Sequence, residues 1–141
     1  MIIRGYGGQG VKTLGFMISE LLASKKFQVV GYPHFGPERR GSQISYFLRY
    51  SEEKILDKTP ELDADIQVVF GPSLGVEIKK NESGRETIYK LDENQNIYVF
   101  GFITKILGFD KQSAVRIIKR KGFCDQTDTF ENGYCNERVL L

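Results

Sequence analysis

The sequence predicts a single α/β domain over residues 1–141, built in three layers with a mainly parallel sheet and a C-terminal helical hairpin. Three observations predict it. A short β segment, a glycine turn, an amphipathic helix and a second β segment follow one another within about 30 residues, the dimension of a βαβ unit. Further β-rich segments fill the centre of the chain, and two segments of helical periodicity fill its last third. A length of 141 residues, 40% of them hydrophobic and 27% charged, suits one globular domain with a real core.

Met1-Ile2-Ile3-Arg4 reads as the first strand, stopped by Gly5. Val11, Leu14, Ile18, Leu21 and Leu22 then recur at spacings of three and four, giving a helix with one apolar face that ends at Ser24-Lys25-Lys26. Phe27 to Tyr32 is the second strand, stopped by Pro33. A right-handed crossover makes these two strands parallel neighbours. Pro33 to Ser42 reads as a polar loop. Gln43 to Tyr50 alternates strictly, with Ile44, Tyr46, Leu48 and Tyr50 on one face and Ser45, Phe47 and Arg49 on the other. Asp65 to Phe70 is a β-branched strand closed by Gly71-Pro72. Val76 to Lys80 and Thr87 to Leu91 flank the turn signal Asn81-Glu82-Ser83-Gly84 and predict a hairpin. Asn96 to Leu107 is a helix stopped by Gly108. Asp110 caps the next helix, whose apolar positions are Ala114, Val115, Ile117 and Ile118; Lys119, Arg120 and Lys121 complement its dipole before Gly122 ends it.

Composition narrows the functional classes. A net charge of +2 gives no argument for nucleic acid, and Lys119 to Lys121 reads as a solvated helix face. Cys124 and Cys135 have no histidine nearby to complete a zinc site and are too few for an iron–sulfur cluster, so no metal site is expected and both read as reduced thiols. No apolar run approaches the roughly 18 residues of a membrane span, and the N-terminus enters a strand with no signal peptide; a cytoplasmic protein without membrane contact is expected.

The chemistry concentrates in two clusters. Gly5, Gly7 and Gly10 match G-x-G-x-x-G after a strand and at the start of a helix, a Rossmann-like opening. Glycines allow the tight turn and close approach of a ligand, and the helix N-terminus offers free N–H groups to an anion. Gly8 and Gln9 belong to the same turn. A triphosphate-binding loop needs Lys directly after the final glycine; here Val11 intervenes and turns Lys12 by about 100° around the helix. A dinucleotide site expects an acid at the end of the second strand, where this chain has Val30-Gly31-Tyr32-Pro33. The alternative to any ligand is a glycine turn that serves packing alone.

The second cluster is His34-Phe35-Gly36-Pro37-Glu38-Arg39-Arg40-Gly41, which leaves the second strand at the carboxyl edge of the sheet, where ligands of open α/β sheets bind. Arg39 and Arg40 suit a phosphate, a carboxylate or the acidic groups of a partner, or else form a solvated turn. His34, the single histidine, has no Ser, Cys or Asp positioned with it as a nucleophile, so no catalytic residue is expected.

Gly5-Tyr6-Gly7-Gly8-Gln9-Gly10-Val11, with Tyr32 to Gly41 and a strand ending Arg49-Tyr50-Ser51, resembles the gamma subunit of 2-oxoacid:ferredoxin oxidoreductases, the pyruvate, 2-oxoglutarate and branched-chain enzymes. The resemblance continues through Asp63-Ala64-Asp65-Ile66 and returns in Asn96 to Gly108 and Phe130 to Tyr134, while Gly71 to Glu93 is shorter than the family's central region. It implies a subunit without activity of its own in a complex that converts a 2-oxoacid and CoA to acyl-CoA and CO2 while reducing ferredoxin. Thiamine diphosphate, Mg and iron–sulfur clusters are then expected in partner subunits: thiamine-binding alpha and beta chains and a ferredoxin-like delta chain. On that resemblance, Gly5, Gly7, Gly8, Gln9, Gly10, Arg39 and Arg40 are candidates for CoA phosphates or the subunit interface, and His34, Phe35, Gly36, Pro37, Glu38 and Gly41 for the interface. A stand-alone nucleotide-binding protein and a purely structural subunit are the alternatives.

Overall fold

The computed structural model describes residues 1–36, 42–57, 63–72 and 75–136. Its elements run β1 (Ile2–Tyr6), α1 (Val11–Ser24), β2 (Gln28–Phe35), β3 (Gln43–Ser51), β4 (Ile66–Phe70), β5 (Val76–Glu82), β6 (Arg85–Leu91), α2 (Asn96–Ile106), α3 (Lys111–Arg120), a 3-10 turn (Cys124–Gln126) and α4 (Thr127–Tyr134). The six strands form one sheet in the order β2-β3-β1-β4-β5-β6.

The sheet is mixed, not mainly parallel. Among the described residues only β1 and β4 pair in parallel; β1–β3, β2–β3, β4–β5 and β5–β6 are antiparallel. β1 and β2 do point the same way, as the crossover through α1 requires, but they are not neighbours, because β3 returns from β2 and inserts between them. The short connections that follow β2, β4 and β5 favour antiparallel returns, since a parallel return needs a crossover of a dozen or more residues.

The third layer is absent among the described residues. Core residues of α1, α2, α3 and α4 join Ile3, Tyr46, Leu48, Val68 and Ile78 in one cluster, so the helices all lie on one face of the sheet. Arg4, Phe47, Val69 and Ile88 alternate onto the other face, where Asp57 of the β3–β4 connection stands 4.0 Å from Arg49. Ile2, opposite Phe47 on that face, is also buried, so the core lies mainly and not wholly on the helix side; an antiparallel sheet tolerates such an arrangement, whereas a parallel sheet needs cover on both faces.

β2 does not stop at Pro33 but continues to Phe35. Gly36 N–H donates to the Gln43 carbonyl at 3.1 Å, so the alternating pattern turns the position of Pro33, opposite Tyr46, towards the open side of an edge strand. A proline is tolerated there because no ladder donor is needed.

α1, α2 and α3 end in the same way, with a left-handed residue followed by phenylalanine. Lys26, Gly108 and Gly122 have φ of 67°, 76° and 85°. The next residue, Phe27, Phe109 or Phe123, donates its N–H back to Leu22, Thr104 or Ile118, and each ring packs on the core. Lys26 is the one of the three with a Cβ. Relief of its left-handed penalty outweighs the added chain entropy of glycine, so Lys26→Gly should stabilise the fold by about 0.5–1 kcal/mol in urea denaturation. A loss of stability would show that the Lys26 side chain contributes something its backbone conformation does not reveal.

The C-terminal region is more than a helical hairpin. α3 packs on α1: Asp110 caps its Ser113 N–H at 2.9 Å and pairs with Lys25, and these bonds, the Lys25 one foremost, hold the Asp110 carboxyl well below the usual range. Arg120 and Lys121, read from the sequence as a solvated face, reach Glu20 of α1 at 3.7 and 2.5 Å. α4, which the sequence reading did not predict, packs on α2 across a glycine pair. A Cβ on Gly101 would overlap the Phe130 carbonyl oxygen, and one on Gly133 the Tyr98 carbonyl oxygen. No helix among the described residues is long and apolar enough to cross a membrane.

Candidate functional site

The carboxyl ends of β1 and β4 lie side by side, and the chain leaves them in opposite directions: through α1 to β2, and through a turn to β5. In open α/β sheets ligands bind at such a reversal of strand order. The glycine turn that follows β1 sits at this junction.

Its glycines serve different needs. Gly8 and Gly10 have φ of 87° and 77°, which residues with a Cβ rarely adopt. Gly5 is buried, and a Cβ there would stand 2.6 Å from Val11 Cγ2 and 2.8 Å from Gln9 Oε1. Gly10 has a second constraint, because a Cβ would stand 2.5 Å from Asn96 Nδ2. Gly7 is outside the left-handed region, exposed, and has nothing within 4 Å of where its Cβ would be. Nothing inside the described chain requires glycine at position 7.

Gln9 has both ends of its amide engaged within the chain. Tyr6 N–H donates to Gln9 Oε1 at 2.7 Å, and Gln9 Nε2 donates to the Gly71 carbonyl at 2.8 Å. The side chain thereby ties the turn after β1 to the end of β4. Its visible role is to fix the shape of the turn.

The contact of Gly10 with Asn96 brings together the N-termini of α1 and α2. Neither helix has a side-chain cap or an acidic residue in its first turn. The first N–H groups of each helix have no intrahelical acceptor, and both dipoles place partial positive charge at their N-terminal ends. Asn96 was legible from the sequence only as a helix start; its approach to Gly10 is a long-range contact with no local signal.

Of the second predicted cluster, His34 and Phe35 lie in β2 and not in a loop. His34 is exposed, with its ring edge-on to Phe47 at 6.3 Å, on the face away from the helices, and Tyr32 meets the same ring at 5.8 Å. Phe35, opposite Ile44, is 54% exposed. Gly36 ends the described part of the strand; Pro37, Glu38, Arg39, Arg40 and Gly41 lie outside the described residues. The segment they form leaves and rejoins the sheet at the same edge as the glycine turn, since Gln43, which accepts from Gly36, is also the register partner of Tyr6.

This topology bears on dinucleotide binding. In a Rossmann unit the strand that supplies the ribose-binding acid lies beside the first strand. Here β3 separates β1 from β2, which puts the end of β2 about 10 Å from the turn, two strand spacings away. His34 and Phe35 stand there in place of an acid.

A family model described as pyruvate ferredoxin/flavodoxin oxidoreductase matches residues 1–119. The pyruvate/ketoisovalerate oxidoreductases common subunit gamma of Pyrococcus abyssi is 39% identical over 70 residues, 50% of this chain and 38% of that protein. The subunit of the same name from Thermococcus litoralis is 37% identical with the same coverage of 50% and 38%. The ketoisovalerate oxidoreductase subunit VorA of Methanothermobacter marburgensis is 36% identical over 74 residues, 51% of this chain and 15% of that protein. The match thus spans less than half the length of these relatives. Among solved structures, the pyruvate oxidoreductase subunit PORC of Thermotoga maritima superposes with a TM-score of 0.61 over 94% of this chain and 93% of that chain, at 14% identity, a likeness of fold.

Proposed function

The chain belongs to the pyruvate ferredoxin/flavodoxin oxidoreductase family, and from that premise we propose that it is a gamma-type subunit of a multi-subunit 2-oxoacid oxidoreductase, inactive alone, whose glycine turn receives an anionic group of CoA at the entrance to the shared active centre. In the overall reaction a 2-oxoacid and CoA give acyl-CoA and CO2, with two electrons passed to ferredoxin. CoA supplies the thiol that accepts the acyl group. Thiamine diphosphate, Mg and the iron–sulfur clusters are assigned to the alpha, beta and delta partners.

The observation that carries the reading is Gly7. Glycine there answers no constraint within the described chain, and it stands exposed in the turn that leads into α1, whose uncapped N-terminus meets that of α2 where Gly10 contacts Asn96. Open backbone beside helix N-termini is suited to a phosphate oxygen. Gly8 and Gly10 shape the turn, Gln9 holds it in place, and Arg39 and Arg40 belong to the segment that leaves the same edge and would supply countercharge. The one-sided sheet supports the subunit role, since Val69 and Ile88 remain 38% and 47% exposed on the face the helices leave open.

Gly7→Val introduces a side chain without touching the chain itself. In the assembled enzyme it should raise the KM for CoA about tenfold or more, the loss of one good contact, and leave assembly and melting temperature unchanged. Charge reversal of Arg39 and Arg40 should do the same. Loss of assembly with an unaltered KM for CoA would favour a structural subunit, and no change in either would remove both roles.

A further inference from the structure

The two edges of the sheet are unlike. β2 carries Gly31 and Pro33, which blunt it against pairing with another strand. β6 is a seven-residue strand with neither residue, and its register with β5 runs unbroken from Val76↔Leu91 to Glu82↔Arg85. It ends the sheet, so one row of its backbone groups faces outward.

Which groups face outward follows from the turn. Ser83 and Gly84 have φ of 53° and 80°, the two positive values of a type I′ hairpin turn. A two-residue turn makes the flanking residues, Glu82 and Arg85, a hydrogen-bonded pair. Alternation then directs the N–H and C=O of Arg85, Thr87, Tyr89 and Leu91 towards β5 and those of Glu86, Ile88 and Lys90 away from it. The same three residues put their side chains on the helix-free face, all exposed, with Ile88 at 47%.

We propose that β6 pairs antiparallel with β6 of a second copy of this chain about a two-fold axis at Ile88, joining two sheets into one. The axis sets Ile88 against Ile88 of the second copy, Glu86 against Lys90, and Lys90 against Glu86. The outward-facing N–H and C=O groups then pair across the axis, and the side chains directly opposite are apolar with apolar and acid with base, the pairs that stabilise a sheet. Thr87 and Tyr89 face each other in the non-hydrogen-bonded positions between. Other registers fail on the same ladder. Moving the axis by one residue sets Ile88 against Glu86 or Lys90. Moving it by two sets Glu86 against itself or Lys90 against itself. The strand is thus self-complementary in one register, as a two-fold interface requires. Glu77 of β5, beside Lys90, continues the alternation of charge inward. This proposal is independent of the CoA site, which lies at the ends of the central strands β1 and β4 and is separated from the β6 edge by β5.

A seven-residue edge gives an interface below standard size, so the dimer should be concentration-dependent. Sedimentation equilibrium of the full chain over roughly 10–500 µM should show a monomer–dimer equilibrium. Lys90→Glu alone and Glu86→Lys alone place like charges opposite each other twice per dimer, and each should weaken association at least about tenfold. An equimolar mixture of the two variants should dimerise again, because each chain then offers the charges the other lacks. Unchanged melting of the single variants verifies that they fold. Wild-type protein monomeric throughout the range, single variants that associate like wild type, or a mixture that stays monomeric would each overturn the proposal.

Discussion

Gly133→Ala should lower the stability of the domain by about 3 kcal/mol, far more than a surface methyl group ordinarily costs. The added Cβ would overlap the Tyr98 carbonyl oxygen of α2, a backbone atom that cannot rotate aside. α4 would have to move away from α2. Phe130, fully buried with its ring 5.7 Å from Phe100, would lose part of its packing, and the 3.0 Å bond from the Tyr134 hydroxyl to the Phe109 carbonyl would be strained. Gly101→Ala strikes the Phe130 carbonyl from the other helix and should cost a similar amount. Since one displacement of α4 relieves both overlaps, the double variant should be little worse than either single. Urea denaturation of the three variants measures this; a loss below about 1 kcal/mol, or full additivity, would contradict a shared backbone contact. The effect should reach the candidate site, because α2 begins at Asn96 against Gly10. Amide resonances of Gly8 and Gly10 should shift in the folded variant.

Gly15→Ala is the second. In the middle of α1, alanine would ordinarily gain about 1 kcal/mol over glycine. Here the new Cβ would enter the ring of Tyr46, which is 1% exposed. That ring is also fixed at its far end, where its hydroxyl meets Ser19 Oγ at 3.2 Å and stands 2.9 Å from a Cβ built on Gly31. Burial pushes the Tyr46 hydroxyl pKa upward, against the smaller effect of the Ser19 bond. Overpacking outweighs helix propensity, and the net cost should be about 2 kcal/mol. Tyr46→Ala alone should cost about 3–4 kcal/mol through the cavity it leaves. In that background the ring is gone, and Gly15→Ala should become neutral or stabilising. A double-mutant cycle by urea denaturation tests this change of sign, and additivity would mean that the ring is not what excludes a side chain at position 15.

The helices were legible wherever periodicity and stop signals agreed. Val11 to Leu22, Asn96 to Leu107 and the helix capped by Asp110 form close to where the sequence puts them, and Gly108 and Gly122 take the left-handed stops expected of them. The β5–β6 hairpin was legible for a similar local reason. Strand adjacency was not. Strand, helix and strand at βαβ spacing carry no local record of a third strand between them, and the insertion of β3 is decided by Tyr46 and Leu48 sharing the face of Ile3. Pro33 looked like a stop because edge position cannot be read from the chain around it. α4 contains Gly133, a poor helix residue that its contact with α2 demands, so the feature that makes α4 pack also hides it. At the candidate site the glycine turn could be read from residue types, but the bond from Gln9 to Gly71 and the contact of Gly10 with Asn96 join residues far apart in sequence.

The position of β1 determines when the candidate site comes into being. β2 with β3 and β5 with β6 are hairpins that close over short stretches of chain, whereas β1 lies between β3 and β4, both made well after it. Distant pairings are the slow ones to form, and a chain emerges from the ribosome with its N-terminus first. The glycines are therefore synthesised before β3 and β4, yet the turn is not tied to β4 until Gly71 has emerged and accepted the Gln9 amide. A nascent or truncated chain that stops short of β4 carries the whole motif but lacks the Gly71 carbonyl that holds Gln9, so the turn takes the shape described above only once β4 is in place.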